Sequence, residues 1–279
     1  MRIIPRMAER EYVLGTGNDE LARLALQHRL WSDTAHQAWR LARLQPGQRV
    51  LDVGAGPGYA AFDLAQLVTG AGAVVAVDES VGFIAHVEEQ AAARHLPQLR
   101  GKVGDVQQLD GALAGERPFD LAYARWVLCF RRDPEAVVRG VAKALRPGGR
   151  FVLHDYYNYG SMTMGPRRRS HDLAVAATMK SWREKGGDPD VMGRVPGMLV
   201  AHGFTIEHLQ VHSRVARGED AMFAWPDTWW RTFAPKLVAM GQLAAADCEQ
   251  LLADLTAIKA SADQFVQCPP VYEVVATKR

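Results

Sequence analysis

The strongest constraint on this chain's fold is the run Val50-Leu51-Asp52-Val53-Gly54-Ala55-Gly56-Pro57-Gly58. A short apolar stretch, read as a buried strand over Arg49–Val53, breaks into glycine at every second position. Glycine leaves the turn without side chains, so a ligand can lie against the main chain. The N-terminus of the next helix then offers it free N–H groups. That helix is expected over Tyr59–Val68, with Ala60, Leu64 and Leu67/Val68 on one face, and Gly70-Ala71-Gly72 stops it.

The same alternation then repeats. A strand over 73–77 precedes a helix that Ser80 can cap, with Val81, Ile84 and Ala85 inward. Short strands follow at 102–104 and 119–124. Asp133 and Pro134 suit the N-cap and first position of a helix striped by Val137, Val141 and Leu145. Pro147-Gly148-Gly149 turns the chain into a fifth strand at 150–153. Strands alternating with helices over short links build a parallel sheet covered on both faces, and such sheets bind ligands at the carboxyl ends of their strands.

The residues just past each strand are therefore the ones that carry chemistry. Asp78 ends the second strand, where a carboxylate can accept hydrogen bonds from both hydroxyls of a ribose. With the glycine turn, it points to a nucleoside ligand. A dinucleotide site favours G-x-G-x-x-G, and Tyr59 stands at the third glycine's place, which weighs against an NAD-dependent oxidoreductase. The absence of G-x-x-x-x-G-K-[ST] excludes a P-loop ATP site.

At this point the chain resembles the class I S-adenosylmethionine-dependent methyltransferases. Residues 50–58 look like their first motif and Val74-Val75-Ala76-Val77-Asp78 like their ribose-binding strand. Gly104-Asp105-Val106 looks like the adenine-side acid, Phe119-Asp120-Leu121-Ala122 like the fourth motif, and Leu145-Arg146-Pro147-Gly148-Gly149-Arg150-Phe151 like the turn into strand five. The nearest branch resembles the ubiquinone/menaquinone-biosynthesis and natural-product enzymes. The resemblance implies a Rossmann-like, doubly wound α/β sheet of seven strands, the last antiparallel, and S-adenosyl-L-methionine as cofactor.

It also implies residue roles. Asp52 would orient the glycine loop or hold the methionine amino group, and Gly54, Ala55 and Gly56 would pass that part of the cofactor. Asp78, with Glu79 and Ser80 beside it, would bind the ribose. Gly104, Asp105 and Val106 would meet the adenine, and Arg125 with Trp126 would sit at the amino-acid end. An N-terminal helix would roof the cofactor with Tyr12, Gln27 and Trp31.

Enzymes of this kind that methylate amines of nucleic-acid bases carry an Asn/Asp-Pro-Pro-aromatic run after strand four. Tyr123-Ala124-Arg125-Trp126 departs from it, and a net charge of only +2 gives no basis for nucleic acid as partner.

Outside the core, 45–155, the chain divides into an N-terminal cap at 1–44, an insertion at 156–192, and 193–279. The last part holds strands at Phe204–His212 and 271–277 and a helical insertion at about 213–270. Tyr156, Tyr157, Tyr159, Met162, Trp225 and Trp229 are the candidate substrate contacts, because aromatic faces and methionine suit a flat or cationic group. His171 and Asp155 are the candidate bases. No local Cys or His spacing suggests a metal, and three scattered cysteines make no disulfide framework.

No apolar run reaches the roughly 18 residues of a membrane helix, and Met1 to Val13 lacks the apolar region of a signal peptide. A cytoplasmic monomer or homodimer is expected, without membrane or nucleic-acid partners. Its acceptor would be a small apolar or aromatic metabolite, methylated on oxygen, with carbon or nitrogen as alternatives. A cofactor-binding protein or cyclase without methyl transfer is the reading from another class.

Overall fold

The computed structural model describes residues 18–279. The chain opens with helix α1 (Asn18–Leu41). The core alternates β1 (Arg49–Val53), α2 (Tyr59–Val68), β2 (Ala73–Asp78), α3 (Val81–Ala93), β3 (Leu99–Val103), a short α4 (Leu109–Ala112), β4 (Phe119–Arg125), α5 (Pro134–Ala144) and β5 (Leu145–Tyr156). Then come β6 (Thr163–Gly165), α6 (Arg169–Glu184), α7 (Val195–Ala201) and β7 (Phe204–His212). The chain ends with β8 (Val215–Arg217), α8 (Ala224–Ala239), α9 (Ala245–Ala260), β9 (Phe265–Gln267) and β10 (Val271–Lys278).

Seven strands form one sheet in the order β3-β2-β1-β4-β5-β10-β7. β1 to β5 run parallel, and β10 is antiparallel to both its neighbours. The chain steps outward from β1 to β3 and then returns to β4 on the other side. The switch point thus lies between β1 and β4, where Val53 is in register with Val77 on one side and Ala124 on the other. A crevice opens above the carboxyl ends of the strands at such a point. Side chains of β1 alternate in the expected way: Leu51 and Val53 enter the layer under α5, while Val50 joins Trp39, Phe62 and Leu64 under α1 and α2.

Local signals held at the caps. Ser80 Oγ accepts from Phe83 N, and an Asp133 carboxylate oxygen accepts from Ala136 N with Pro134 at the first turn. Strand lengths differ from expectation. β3 starts at Leu99 rather than 102, and β5 runs from Leu145 to Tyr156, well past 150–153. Backbone pairing of β5 with β4 and β10 extends it over residues whose side chains do not alternate cleanly.

The two inserts are knit together. β9 is the middle strand of a second, three-stranded sheet, β6-β9-β8, so 163–165 of the first insert pairs with the second. Leu251, Leu255 and Ile258 of α9 are fully buried in the same cap. α1 braces it: Arg214 donates to Leu30 O and Thr34 Oγ1, and Trp225 Nε1 donates to Gln27 Oε1 at 3.3 Å. Among the described residues, no helix is long and apolar enough to cross a membrane.

Candidate active site

The glycine turn is shaped by two constraints. Gly54 has φ +67°, and a Cβ there would lie 2.6 Å from Val127 Cγ2, so a side chain is excluded both by backbone and by space. Gly56 has φ +54° with nothing within 4 Å of a virtual Cβ, so its bare face opens into the crevice. Gly54 N and Ala55 N both donate to Val77 O, which pins the turn to the end of β2.

Asp78 completes that anchorage. One carboxylate oxygen accepts from Gly56 N at 2.8 Å, and the other accepts from Ser80 N at 2.9 Å. Each oxygen keeps a second lone pair, and the residue lines the crevice, so it can still receive two hydroxyls. Burial raises its pKa, against the pull of those two backbone donors.

Beneath the turn lies a complementary pair of unmet groups. Asp52 is buried, and its Oδ2 has no hydrogen-bond partner. Burial, reinforced by the nearby Asp78 charge and opposed by Arg125, lifts its pKa to about 7. Arg125 Nη1 is also buried and unpartnered, while Nη2 lies 2.9 Å from His28 Nδ1. His28 and His36 both contact Asp63 Oδ2, at 3.0 and 2.9 Å. A free carboxylate oxygen and a free guanidinium N–H in one crevice match the ammonium and carboxylate of an amino acid. With the ribose acceptor Asp78, these residues fit the two ends of S-adenosylmethionine.

The other half of the crevice is aromatic. Trp126, Tyr156, Tyr159, Trp182, Trp225 and Trp229 line it, with Met162 among them. Trp126 has φ +54°, in the left-handed region that a bulky side chain rarely occupies. Its N–H donates to His154 O at 2.8 Å, and its ring stacks on Tyr156 at 6.1 Å. Such strain persists only where surrounding structure enforces it, and here it aims the indole into the crevice.

The structure places most of the expected residues on this wall: Gln27, Asp52, Gly54, Ala55, Gly56, Asp78, Glu79, Val106, Arg125 and Trp126, and the substrate candidates except Tyr157. Others lie elsewhere. Trp31 is 1% exposed and packs behind the wall, edge-on to Trp126 and Trp225. Ser80 caps α3, and Asp105 caps the turn after β3 by accepting from Gln107 N. A Cβ on Gly104 would meet Ala112 at 2.6 Å, so that glycine serves packing. Tyr157 is 42% exposed and turns to Tyr272, away from the crevice. Tyr12 lies outside the described residues.

The two candidate bases are corrected. His171 is fully buried against the Trp230 ring, and neither ring nitrogen has a hydrogen-bond partner. Burial depresses its pKa to about 4. Asp155 is fully buried inside β5, accepting from Cys129 N and Tyr156 N, and burial raises its pKa to about 6. Neither lines the crevice. Asp155 ties β5 to the segment after β4, which is a structural task. Sequence reasoning missed Arg23, Phe130, Arg131 and Trp182 on the wall. Arg131, paired with Glu79 at 3.0 Å, follows β4 closely enough for the strand-end rule to have reached it. Trp182 comes from the far end of α6, where no local signal marks it.

Comparison with known proteins agrees with this geometry. The family described as "Methyltransferase domain" matches residues 44–210. The demethylmenaquinone methyltransferase of Mycolicibacterium vanbaalenii is 33% identical over 215 residues, covering 77% of this chain and 82% of that protein. Two further relatives are matched over less than half their own length. The match covers 48% of the trans-aconitate 2-methyltransferase of Deinococcus radiodurans (31% identity) and 30% of the phosphoethanolamine N-methyltransferase 1 of Triticum aestivum (29% identity). They align with 51% and 53% of this chain. In fold, the chain is similar to the YcgJ protein of Bacillus subtilis, with a TM-score of 0.59 at 18% identity, over 88% of this chain and 99% of that one. The glycine turn, the acid ending β2, the sheet order and these matches converge: the chain belongs to the class I S-adenosylmethionine-dependent methyltransferases.

Proposed function

We propose that this chain methylates an acidic hydroxyl oxygen on a small, flat, largely apolar acceptor held between the tryptophans of the crevice. The observation that carries this is the division of the crevice. Its carboxylates, Asp52, Asp78 and Glu79, all stand at the ends of β1 and β2, and its other half is aromatic. Among the described residues that line it there is no histidine. Burial pushes the phenols of Tyr156 and Tyr159 far above their usual range, so both stay protonated and act as donors or walls rather than bases. An acceptor that sheds its own proton near neutral pH needs no base from the protein.

When bound, the cofactor supplies an electrophilic methyl group on a sulfonium. Asp52 and Arg125 hold its amino-acid end, and Asp78 its ribose. The indole faces of Trp126, Trp225 and Trp229 favour the positive sulfur and keep water out of the path of attack. Alignment of the two reactants is then the main catalytic contribution.

The reading is tested with methyl-labelled S-adenosylmethionine and parallel panels of phenols, enols, amines and quinols, with products resolved by mass spectrometry. Label on a hydroxyl oxygen supports it. Label only on nitrogen or carbon would move the acceptor atom, and no transfer despite tight S-adenosylhomocysteine binding would remove methylation of small hydroxyls altogether.

Two pH effects are expected. Below about 7 the Asp52 carboxyl holds a proton that an incoming ammonium group must displace. Affinity for S-adenosylhomocysteine should therefore fall as pH drops below 7, by up to about tenfold per unit, and level off above it. Calorimetry across pH 6 to 8 should show this slope in the parent and not in Asp52→Asn. The second effect concerns stability. Unfolded His171 takes its proton near 6.5 and folded His171 only near 4, so in that window the unfolded chain binds more protons and stability falls as pH drops. His171→Leu removes this contribution. It should lose less melting temperature than the parent between pH 6.5 and 4, and keep turnover within about threefold, since replacing an unpartnered buried polar group by an apolar one is close to neutral.

A further inference from the structure

Behind the crevice, three strands that are distant in sequence bring two imidazoles and a carboxylate together. His154 on β5 stands directly across from Glu273 on β10, and Gln210 on β7 stands across from Glu273 on the other side. His212 lies two residues along β7 from Gln210, so period-2 alternation puts it on the same face. Nε2 of His154 and Nε2 of His212 each lie 2.9 Å from the same oxygen, Glu273 Oε2. One ligand atom from each of the three residues falls within 4.8 Å of the others. His208 Nε2 comes within 3.3 Å of Glu273 Oε1, and neither of those two atoms makes a hydrogen bond.

We propose that His154, His212 and Glu273 form a site for one divalent transition-metal ion, Zn²⁺ by ligand type, with the fourth position left to water. Tetrahedral zinc with nitrogen and oxygen ligands at about 2.0–2.2 Å sets those atoms roughly 3.3–3.5 Å apart. The two imidazole-to-carboxylate separations of 2.9 Å are shorter than that value by about half an ångström, so a small outward shift of the side chains would admit the ion.

Burial supplies the independent argument. Glu273 is 0% exposed and His154 1%, and the ion-pair partners of Glu273 are the three imidazoles. A carboxylate taken wholly out of water needs a positive charge beside it. A cation between the side chains supplies the charge and takes the imidazole lone pairs. Local spacing in the sequence gave no metal motif because the three ligands come from three strands.

The site touches the crevice through two rings: His154 meets Tyr123, which lines the crevice, edge-on at 5.8 Å, and Trp31 forms the other link. His212 meets Trp31 edge-on at 6.5 Å, and Trp31 supports Trp126 and Trp225. The ion would thus fasten the edge strand β7 to β10 and β5 and stiffen the wall, independently of which acceptor is methylated.

The test uses the full chain, without an affinity tag and stripped of metal by chelator. Zn²⁺ is titrated against a chromophoric chelator, and Co²⁺ is added separately for its visible spectrum. The expected result is one ion per chain and tetrahedral Co²⁺ bands without a thiolate charge-transfer band, which excludes Cys129, Cys248 and Cys268. Zn²⁺ should raise the melting temperature by several degrees. Affinity should drop at least about 100-fold in His212→Ala and Glu273→Gln and stay unchanged in His95→Ala, whose side chain is exposed. His212 is only half-buried, so its variant reports even where Glu273→Gln fails to fold. Binding of parent strength in His212→Ala, a thiolate band, or no binding at all would each overturn the proposal and leave a hydrogen-bonded cluster.

Discussion

Asp78→Ala is expected to weaken S-adenosylmethionine binding by at least about 100-fold while the protein stays folded. The carboxylate offers two charge-assisted hydrogen bonds to ribose hydroxyls, worth about 1.5–3 kcal/mol each. It is also the acceptor for Gly56 N and Ser80 N, so its loss frees the glycine turn and the start of α3 at once. Relief of the buried charge offsets only part of the about 1–3 kcal/mol that each stranded N–H costs, so the melting point should drop while the chain stays folded. Calorimetry alongside a melting curve separates the two effects. Asp78→Asn keeps one acceptor oxygen but not the charge, so an intermediate loss of roughly tenfold should appear. Parent-like affinity in Asp78→Ala would remove this residue from the cofactor site.

Trp31→Ala should destabilise the fold by about 3–5 kcal/mol, the range for emptying a large buried aromatic site. The ring lies edge-on to Trp126, Trp225 and His212, and the Arg214 guanidinium sits 4.1 Å from its centroid. It therefore joins α1, the end of β4, the edge strand and the cap. Urea unfolding should show a much lower midpoint, and Trp31→Phe should recover most of the loss. A cost under about 1 kcal/mol would show that the cap does not depend on this ring. Trp31 was expected to touch the cofactor, and its importance is instead as the backing of the wall.

What was legible in the sequence was local. The helix start at Ser80, the Asp133-Pro134 cap and the switch from strand to helix at Gly54–Gly58 are decided by residues a few positions apart, and each formed where expected. The polar end of the crevice followed, because strand ends in a parallel sheet must converge there. Long-range pairing was not legible. β6, β8 and β9 have three residues each, too few for alternation to show. His171 was a candidate because it opens the helix that follows strand five, and only the packing of Trp230 against it shows its solvation to be lost. His154, His212 and Glu273 are apart in sequence, and registers of β5, β10 and β7 were needed to bring them together.

The three-stranded sheet of the cap limits how the cap can be exchanged. β9 needs β6 on one edge and β8 on the other, and these belong to different inserts. Transplanting the segment 213–270 alone into another scaffold would leave one edge of β9 with bare N–H and C=O groups, open to pairing with another chain. Both inserts must travel together, with the matching face of α1 that holds Trp225 and Arg214. In a chain built this way, the cap is one three-piece structural unit rather than a set of interchangeable loops.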